Sequence, residues 1–232
     1  MSEHISSRFN EELENVRSEV MRMGGLAEQQ LNGILAVMQH LETDAFTPII
    51  DGDEALNELE IQIDDACQTI IARRQPAAGD LRFVMTVIRI IVDLERIGDE
   101  IKKIALIGQD LAKHQRATSA DLLGVARLAR ITQGMLRRAL DAFARLDADV
   151  VIELTETDKI LDHDYLSQLR SRITYMMEDP RSIGSNIDIL FMTRSVERIG
   201  DHAKNIAEHV VYLTKGIDVR HTPLEEIKKT IA

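Results

Sequence analysis

Apolar residues recur at spacings of three and four along almost the whole chain, and only four prolines, Pro48, Pro76, Pro180 and Pro223, fall within it. That period places them on one side of an α-helix; on a strand it would scatter them over both faces. In the first long segment Phe9, Leu13, Val16, Val20, Met23, Ala27, Leu31, Ile34, Met38 and Leu41 form such a stripe. Gly24, Gly25 and Gly33 weaken it without shifting its phase. A second segment is marked by Leu56, Leu59, Ile63, Ala66 and Ile70 and stops near Pro76, which disfavours helix at the residue before it. From Leu81 a third carries apolar residues on more than one face and should be the most buried of these three. With 12 Gly, 4 Pro and 3% aromatic residues, turn formers are too few for a sandwich or barrel. The expected class is all-α.

After Lys113 the polar stretch HQRATSAD breaks the pattern, and Thr118 with Asp121 resembles a capping box opening the next helix. A fourth helix follows through Leu122, Val125, Leu128, Ile131, Met135, Ala139 and Phe143; a fifth runs from about Asp149 to Met177; a sixth starts after Pro180. The longer ones, at about 30 residues, would each span about 45 Å. The third helix contains DLERIGDEIKKIA from Asp93 and the sixth SVERIGDHAKNIA from Ser195, so Glu95 and Asp99 recur as Glu197 and Asp201. Five consecutive identities at one helical phase, each preceded by the same order of helix, proline turn and helix, mark an internal duplication. The chain is therefore predicted to form two tandem, sequence-related three-helix bundles of up-and-down helices. The first would cover residues 1–115, the second 116–232 with a short C-terminal tail.

Residues four apart on a helix lie one above the other, so Glu95 with Asp99, and Glu197 with Asp201, each present two carboxylates on one face. Continuing the row Leu81, Met85, Ile88, Val92 by threes and fours arrives at Glu95 and Asp99, which predicts that these acids share a face that is otherwise apolar. Like charges there need a positive partner. Arg96 and Arg198 point about 100° away and are expected to be poor partners for their own helix's acids. Facing helices offer Asp53 and Asn57, or Glu54 and Glu58, in the first half, and Asp158 and Asp162 in the second. Convergence of these pairs would create an all-oxygen environment suited to hard cations or iron. Gly98 and Gly200, repeated inside helices that alanine would favour, indicate close approach of a neighbouring helix or ligand.

The repeated ERIGD, the stretch VERIGDHAKNIAEH, the lead-in DLRFVMTVIRIIVDLERIGD and the duplicated layout resemble the PhoU family over essentially the whole chain. The resemblance implies a cytosolic negative regulator of the phosphate-starvation response and of phosphate uptake. Such a protein acts by contact between the phosphate ABC transporter, through its ATPase subunit, and a phosphate-sensing histidine kinase. It also implies a homodimer and, as in some members, metal clusters of divalent or iron-type ions. Carried onto matching positions, the ligands would be Asp53, Glu95 and Asp99 in the first bundle and Asp158, Asp162, Glu197 and Asp201 in the second. Asn57 stands where the second half has Asp162, leaving the first site one carboxylate short. Lys103 in turn stands where the second half has Asn205, placing a positive charge one turn from Asp99.

A net charge of −11, from 28 Lys+Arg against 39 Asp+Glu, argues against nucleic-acid binding and against anchoring to a membrane surface by basic residues. Neither a signal peptide nor a spanning segment is evident, and a single cysteine fits a reducing, cytoplasmic setting. Cys67 lies among apolar residues and reads as core rather than reactive. No Glu-x-x-His, phosphate-binding loop or nucleophile motif occurs, so an enzyme is not expected. His163 and His202 adjoin the acidic pairs in sequence but should face elsewhere. A carboxylate-bridged metal-dependent enzyme and a metal-free helical adaptor remain as alternatives.

Overall fold

The periodic segments form six long helices in a computed structural model that describes residues 2–231, with side-chain surroundings from residue 7. They are α1 (Ser2–Val37), α3 (Asp53–Arg74), α4 (Ala78–Lys113), α5 (Leu123–Arg145), α6 (Val150–Glu178) and α7 (Ile183–Lys215), with short helices α2 (Thr47–Asp51) and α8 (Leu224–Ile231). α1 ends four residues before Leu41, the expected end of its stripe, because the chain turns there with Leu41 in the left-handed region at φ 52°. α3 stops at a left-handed Gln75 whose N–H reaches the Ile71 carbonyl, just ahead of Pro76. α6 gives way to extended backbone at Asp179, as Pro180 requires. Thr118 does donate to Asp121, from both backbone N–H and hydroxyl at 2.8 and 2.7 Å, but these bonds close a turn two residues ahead of α5. The C-terminal tail is more than an appendage, since α8 packs on α6.

The helices assemble as two three-helix bundles, α1 with α3 and α4, and α5 with α6 and α7. Contacts advance along α4 as they retreat along α7: Asp93 contacts His209, and the later Glu100 contacts the earlier Arg198. The two motif helices therefore cross antiparallel, forming the largest helix–helix contact in the molecule. α1 adds a second contact between bundles by packing against α5. α4 is consequently covered on two sides. Its core face is Val84, Val87, Ile91, Leu94, Ile97 and Ile101, each almost fully buried, for about 2 kcal/mol per side chain.

The row that led to Glu95 and Asp99 lies elsewhere. Leu81, Met85 and Val92 are 39%, 38% and 44% exposed, so the first acidic pair continues a half-exposed row rather than a core face. A 3.6-residue period advances rows of threes and fours differently, and a helix apolar on more than one side allows more than one such row.

Cys67, in the middle of α3, is fully buried, and burial first, then the nearby Asp64 carboxylate, pushes its thiol up to about 12. Alkylation by iodoacetamide at neutral pH should be undetectable by mass in the native protein and go to completion in denaturant. Modification of the folded chain at a free-thiol rate would contradict its placement.

Candidate functional site

Asp53 opens α3 and is buried at 2% exposure against α4. Its Oδ2 accepts from Lys102 Nζ at 2.9 Å and from Asn57 Nδ2 at 3.2 Å. Among the described residues no partner reaches Asp53 Oδ1 or Asn57 Oδ1, although both are buried. Glu95 and Asp99 stand beside them, half-buried, while Glu54 and Glu58 face solvent. Burial first, then the Asp99 carboxylate, pushes the Glu95 carboxyl up against the opposing Arg96. Arg96 does partner its own helix, with Nε 3.5 Å from Glu95 and Nη1 3.7 Å from Asp99. Its long, flexible side chain curls across the surface and closes the angle that backbone geometry sets. Lys103 instead bonds Glu100 at 2.9 Å.

The second half repeats this arrangement more deeply. Asp158 of α6, 7% exposed, accepts from Lys204 Nζ at 2.5 Å, and Lys204 also lies 3.9 Å from Asp201. Lys102 and Lys204 occupy the same place after ERIGD, so one lysine–aspartate clamp is built twice. Glu197 is buried and accepts from Arg194 at 2.6 Å. Among the described residues, Asp158 Oδ1 and Glu197 Oε2 are buried without a partner. Asp162 lies at the exposed edge. Gly98 and Gly200 are where the helices touch: a Cβ on Gly98 would come 2.7 Å from Leu56 Cδ1, and one on Gly200 would overlap Leu161. The repeated glycines therefore bring α3 and α6 close enough for Asp53 and Asp158 to reach the motif.

Burial first, then the Asp201 carboxylate, pushes the Glu197 carboxyl up to about 7, with Arg194 opposing. A carboxyl raised in the folded state contributes stability below its unfolded value that is lost as pH rises through the folded value. In chelator-treated protein, wild type should therefore lose stability relative to Glu197→Gln between about pH 4.5 and about pH 7. Denaturant midpoints of the two proteins across that range measure it, and a difference that stays constant with pH would contradict the assignment.

Among the described residues, no three His, Cys, Asp or Glu side chains converge closely enough to hold a metal ion as they stand. Lys102 and Lys204 take positions beside the acids that a cation would otherwise fill, yet four buried oxygens are left over. His163 is exposed, 3.8 Å from Asp164, and His202 turns away to Asp93.

Sequence reasoning missed the polar seam between the bundles. Asp93, 7% exposed, faces His202 Nδ1 at 2.8 Å, His209 Nε2 at 3.1 Å and Asn205 Nδ2 at 3.2 Å. A carboxylate only accepts, so both facing imidazole nitrogens carry protons. Burial opposes ionisation of Asp93, and the bonds from His202 and His209 outweigh it, holding its carboxyl below the usual range. Glu100 accepts from Arg198 across the crossing at 3.2 Å and from Lys103 of its own helix at 2.9 Å. These bonds and the Ser195 hydroxyl likewise hold its carboxyl low against burial. Asp93 and His202 are the repeat mates of Ser195 and Glu100, so the two sides of the seam correspond by the internal symmetry. That correspondence was available once the repeat was aligned, had the two motif helices been assumed to pack on each other.

The PhoU domain family matches the chain twice, over residues 20–107 and 125–210. The phosphate-specific transport system accessory protein PhoU of Escherichia coli K12 is 44% identical over 232 residues, covering 100% of this chain and 95% of that protein. The PhoU homolog of Pseudomonas aeruginosa is 42% identical over 231 residues, with coverage of 100% and 95%. A crystal structure of PhoU from Pseudomonas aeruginosa superposes with a TM-score of 0.84 at 42% identity, covering 90% of this chain and 100% of that one. The phosphate transport system regulatory protein PhoU from Streptococcus pneumoniae gives 0.82 at 27% identity, with coverage of 91% and 99%.

Proposed function

The chain belongs to the PhoU family, and from that premise we propose that it regulates phosphate transport as an accessory protein. In this reading it is a cytoplasmic negative regulator of phosphate uptake and of the phosphate-starvation response. It contacts the ATPase subunit of the phosphate ABC transporter and a phosphate-sensing histidine kinase, and it works as a homodimer. The observation that carries the proposal is the similarity, end to end, to proteins named as accessory to phosphate-specific transport. Among the described residues no helix is long and apolar enough to cross a membrane. Exposed apolar side chains on α6 and α7, including Met177 at 80% and Phe191 at 60%, suit protein contact rather than catalysis. Docking would change which conformation of the transporter or kinase is populated, through a difference in affinity between their states.

In the same reading the acidic faces bind divalent or iron-type cations, through Asp53, Glu95 and Asp99 in the first bundle and Asp158, Asp162, Glu197 and Asp201 in the second. The buried unpartnered oxygens of Asp53, Asp158 and Glu197 support this, as carboxylate oxygens are the donors hard cations take. A bound cation would neutralise the carboxylates and tie α3 to α4 or α6 to α7. Lys102 and Lys204 would have to yield, and the first face has Asn57 in place of a fourth carboxylate, so the second is the stronger candidate.

Deleting the gene should switch on phosphate-starvation transcripts in phosphate-rich medium, with restoration by a plasmid copy. Transcript levels unchanged by deletion would reject the regulatory reading.

A further inference from the structure

Exposed apolar side chains gather on one side of the second bundle. Leu166, Ile173 and Met177 of α6 and Ile183, Ile187 and Phe191 of α7 are each between 40% and 80% exposed. They form one row on each helix, spaced by fours and sevens. On α6 the row lies about half a turn round the helix from Asp164, which meets Arg127 of α5 at 2.8 Å. On α7 it lies well round from Gly200, whose side faces Thr132 and Met135 of α5. The two helices run antiparallel, with Arg172 Nη1 3.2 Å from Asn186 Oδ1 and the Arg194 guanidinium 5.6 Å from the Tyr165 ring. Both rows therefore run side by side on the face opposite α5, with half-buried Leu169 and Leu190 between them.

The first bundle has no equal strip, because the repeat mates of Ile173, Met177 and Phe191 are Gln68, Ala72 and Arg89. Continued along both helices, the rows run into acids. Asp162 precedes Leu166 by one turn, and Glu197 and Asp201 follow Ile187 on the same face of α7. Asp158, Asp162, Glu197 and Asp201 stand there against Arg194 and Lys204, which leaves two carboxylates in excess. Among the described residues Asp162 makes no ion pair, and Asp201 is reached only by Lys204 at 3.9 Å. From Ile183 to Asp201 the strip is about 27 Å long. Two adjacent ridges of apolar side chains form a groove for a third helix, and the acidic end selects a cationic group over an anionic one. α8 joins an apolar side to Lys228 and Lys229, but its Ile227 and Ile231 are buried within the protomer, so a second copy does not supply such a helix.

We propose that this strip docks an amphipathic helix of a partner protein, with its apolar side in the α6–α7 groove and Lys or Arg at one end against Asp162 and Asp201. The helix gives the partner's chemistry in the regulatory reading above and rests on that reading only for there being a partner. Binding needs no metal and no intact transport system, so failure of a peptide to bind leaves the gene-deletion result standing.

Fluorescence polarisation of labelled peptides of about 18 residues, titrated with the full-length, chelator-treated protein, tests it. Each peptide carries leucines spaced by threes and fours along one side and a block of either Lys or Glu at one end, made with the block at either terminus. Saturable binding of a Lys-block peptide is expected, about tenfold or more tighter than that of its Glu-block twin. Phe191→Glu should weaken it about tenfold or more, because a charge then enters the apolar contact. Asp162→Asn with Asp201→Asn should bring the affinities of the Lys and Glu peptides together. Ile61→Glu alters an exposed apolar residue of the first bundle and should leave binding at the wild-type value. Circular dichroism confirms that each variant is folded. No saturable binding, equal affinity for the Lys and Glu peptides, or equal loss in Ile61→Glu and Phe191→Glu would overturn the proposal. So would light scattering that finds wild type dimeric and Phe191→Glu monomeric, since a second copy would then occupy the strip.

Discussion

Asp93→Ala should lower the unfolding free energy by about 3 kcal/mol or more, the cost of leaving three buried or half-buried donors without their ionised acceptor. Among the described residues Asp93 is the sole carboxylate that His202, Asn205 and His209 all face, and every one of them belongs to the other bundle. Its loss leaves two imidazole N–H groups and an amide without their acceptor, with His209 only 6% exposed. For a chain of this length the thermal midpoint should fall by about 6 °C or more. Asp93→Asn separates charge from shape, since its single carbonyl accepts but its amide opposes a donor; a loss close to that of alanine is expected. Because the wild-type carboxyl is held low, its contribution is present above the unfolded value near pH 4 and is lost as pH falls through the folded value. The gap between wild type and Asp93→Ala should therefore narrow in acid. A midpoint unchanged at neutral pH would mean that the seam carries no stability.

Lys204→Met should act in opposite directions on two measurements. In chelator-treated protein it leaves Asp158 buried beside Glu197 and Asp201 without its lysine, and should destabilise by about 2 kcal/mol or more after allowance for the lysine's partial exposure. With Mg²⁺ or Mn²⁺ present, the same substitution removes the competitor for the cation's place, and affinity should rise about tenfold or more. Glu197→Ala with Asp201→Ala removes the opposing donors and should abolish the cation's stabilising effect in either background. Metal content after purification without chelator, together with thermal midpoints at stepped cation concentration, distinguishes these outcomes. Identical affinity in wild type and Lys204→Met would show that the lysine clamp and the cation do not share a place.

The acidic faces were legible in part. The recurrence of ERIGD picked out Glu95, Asp99, Glu197 and Asp201, and the glycines at their centre announced the close helix contacts that Leu56 and Leu161 make. Spacing alone does not choose Asp53 and Asn57 over Glu54 and Glu58, because both pairs can share a face and only the rotation of α3 decides which turns inward; Asp53 was named by the family resemblance. The counter-ions were missed for a related reason. Lys102 and Lys204 stand one turn beyond the motif, but their role depends on a flexible side chain reaching a carboxylate on another helix. Arg96 partners its own helix's acids because a long side chain reaches further than its backbone direction indicates. The depth of the two faces also differs more than the matching sequence suggested, with Glu197 buried and Glu95 half-buried.

What the sequence determined by itself is everything that depends on neighbours along the chain. Spacing of three and four set the helices, prolines and the polar stretch after Lys113 set their breaks, and duplication set two bundles of one design. The tertiary structure decided what depends on the relation between helices. Antiparallel packing of α4 on α7 turned Asp93 and Glu100 into a buried seam, and antiparallel packing of α6 on α7 joined two exposed apolar rows into one strip. Helix periodicity is a local property repeated many times and so survives in a single sequence. A buried charge and its partner are set by one contact between residues about a hundred positions apart, and no local spacing encodes that contact.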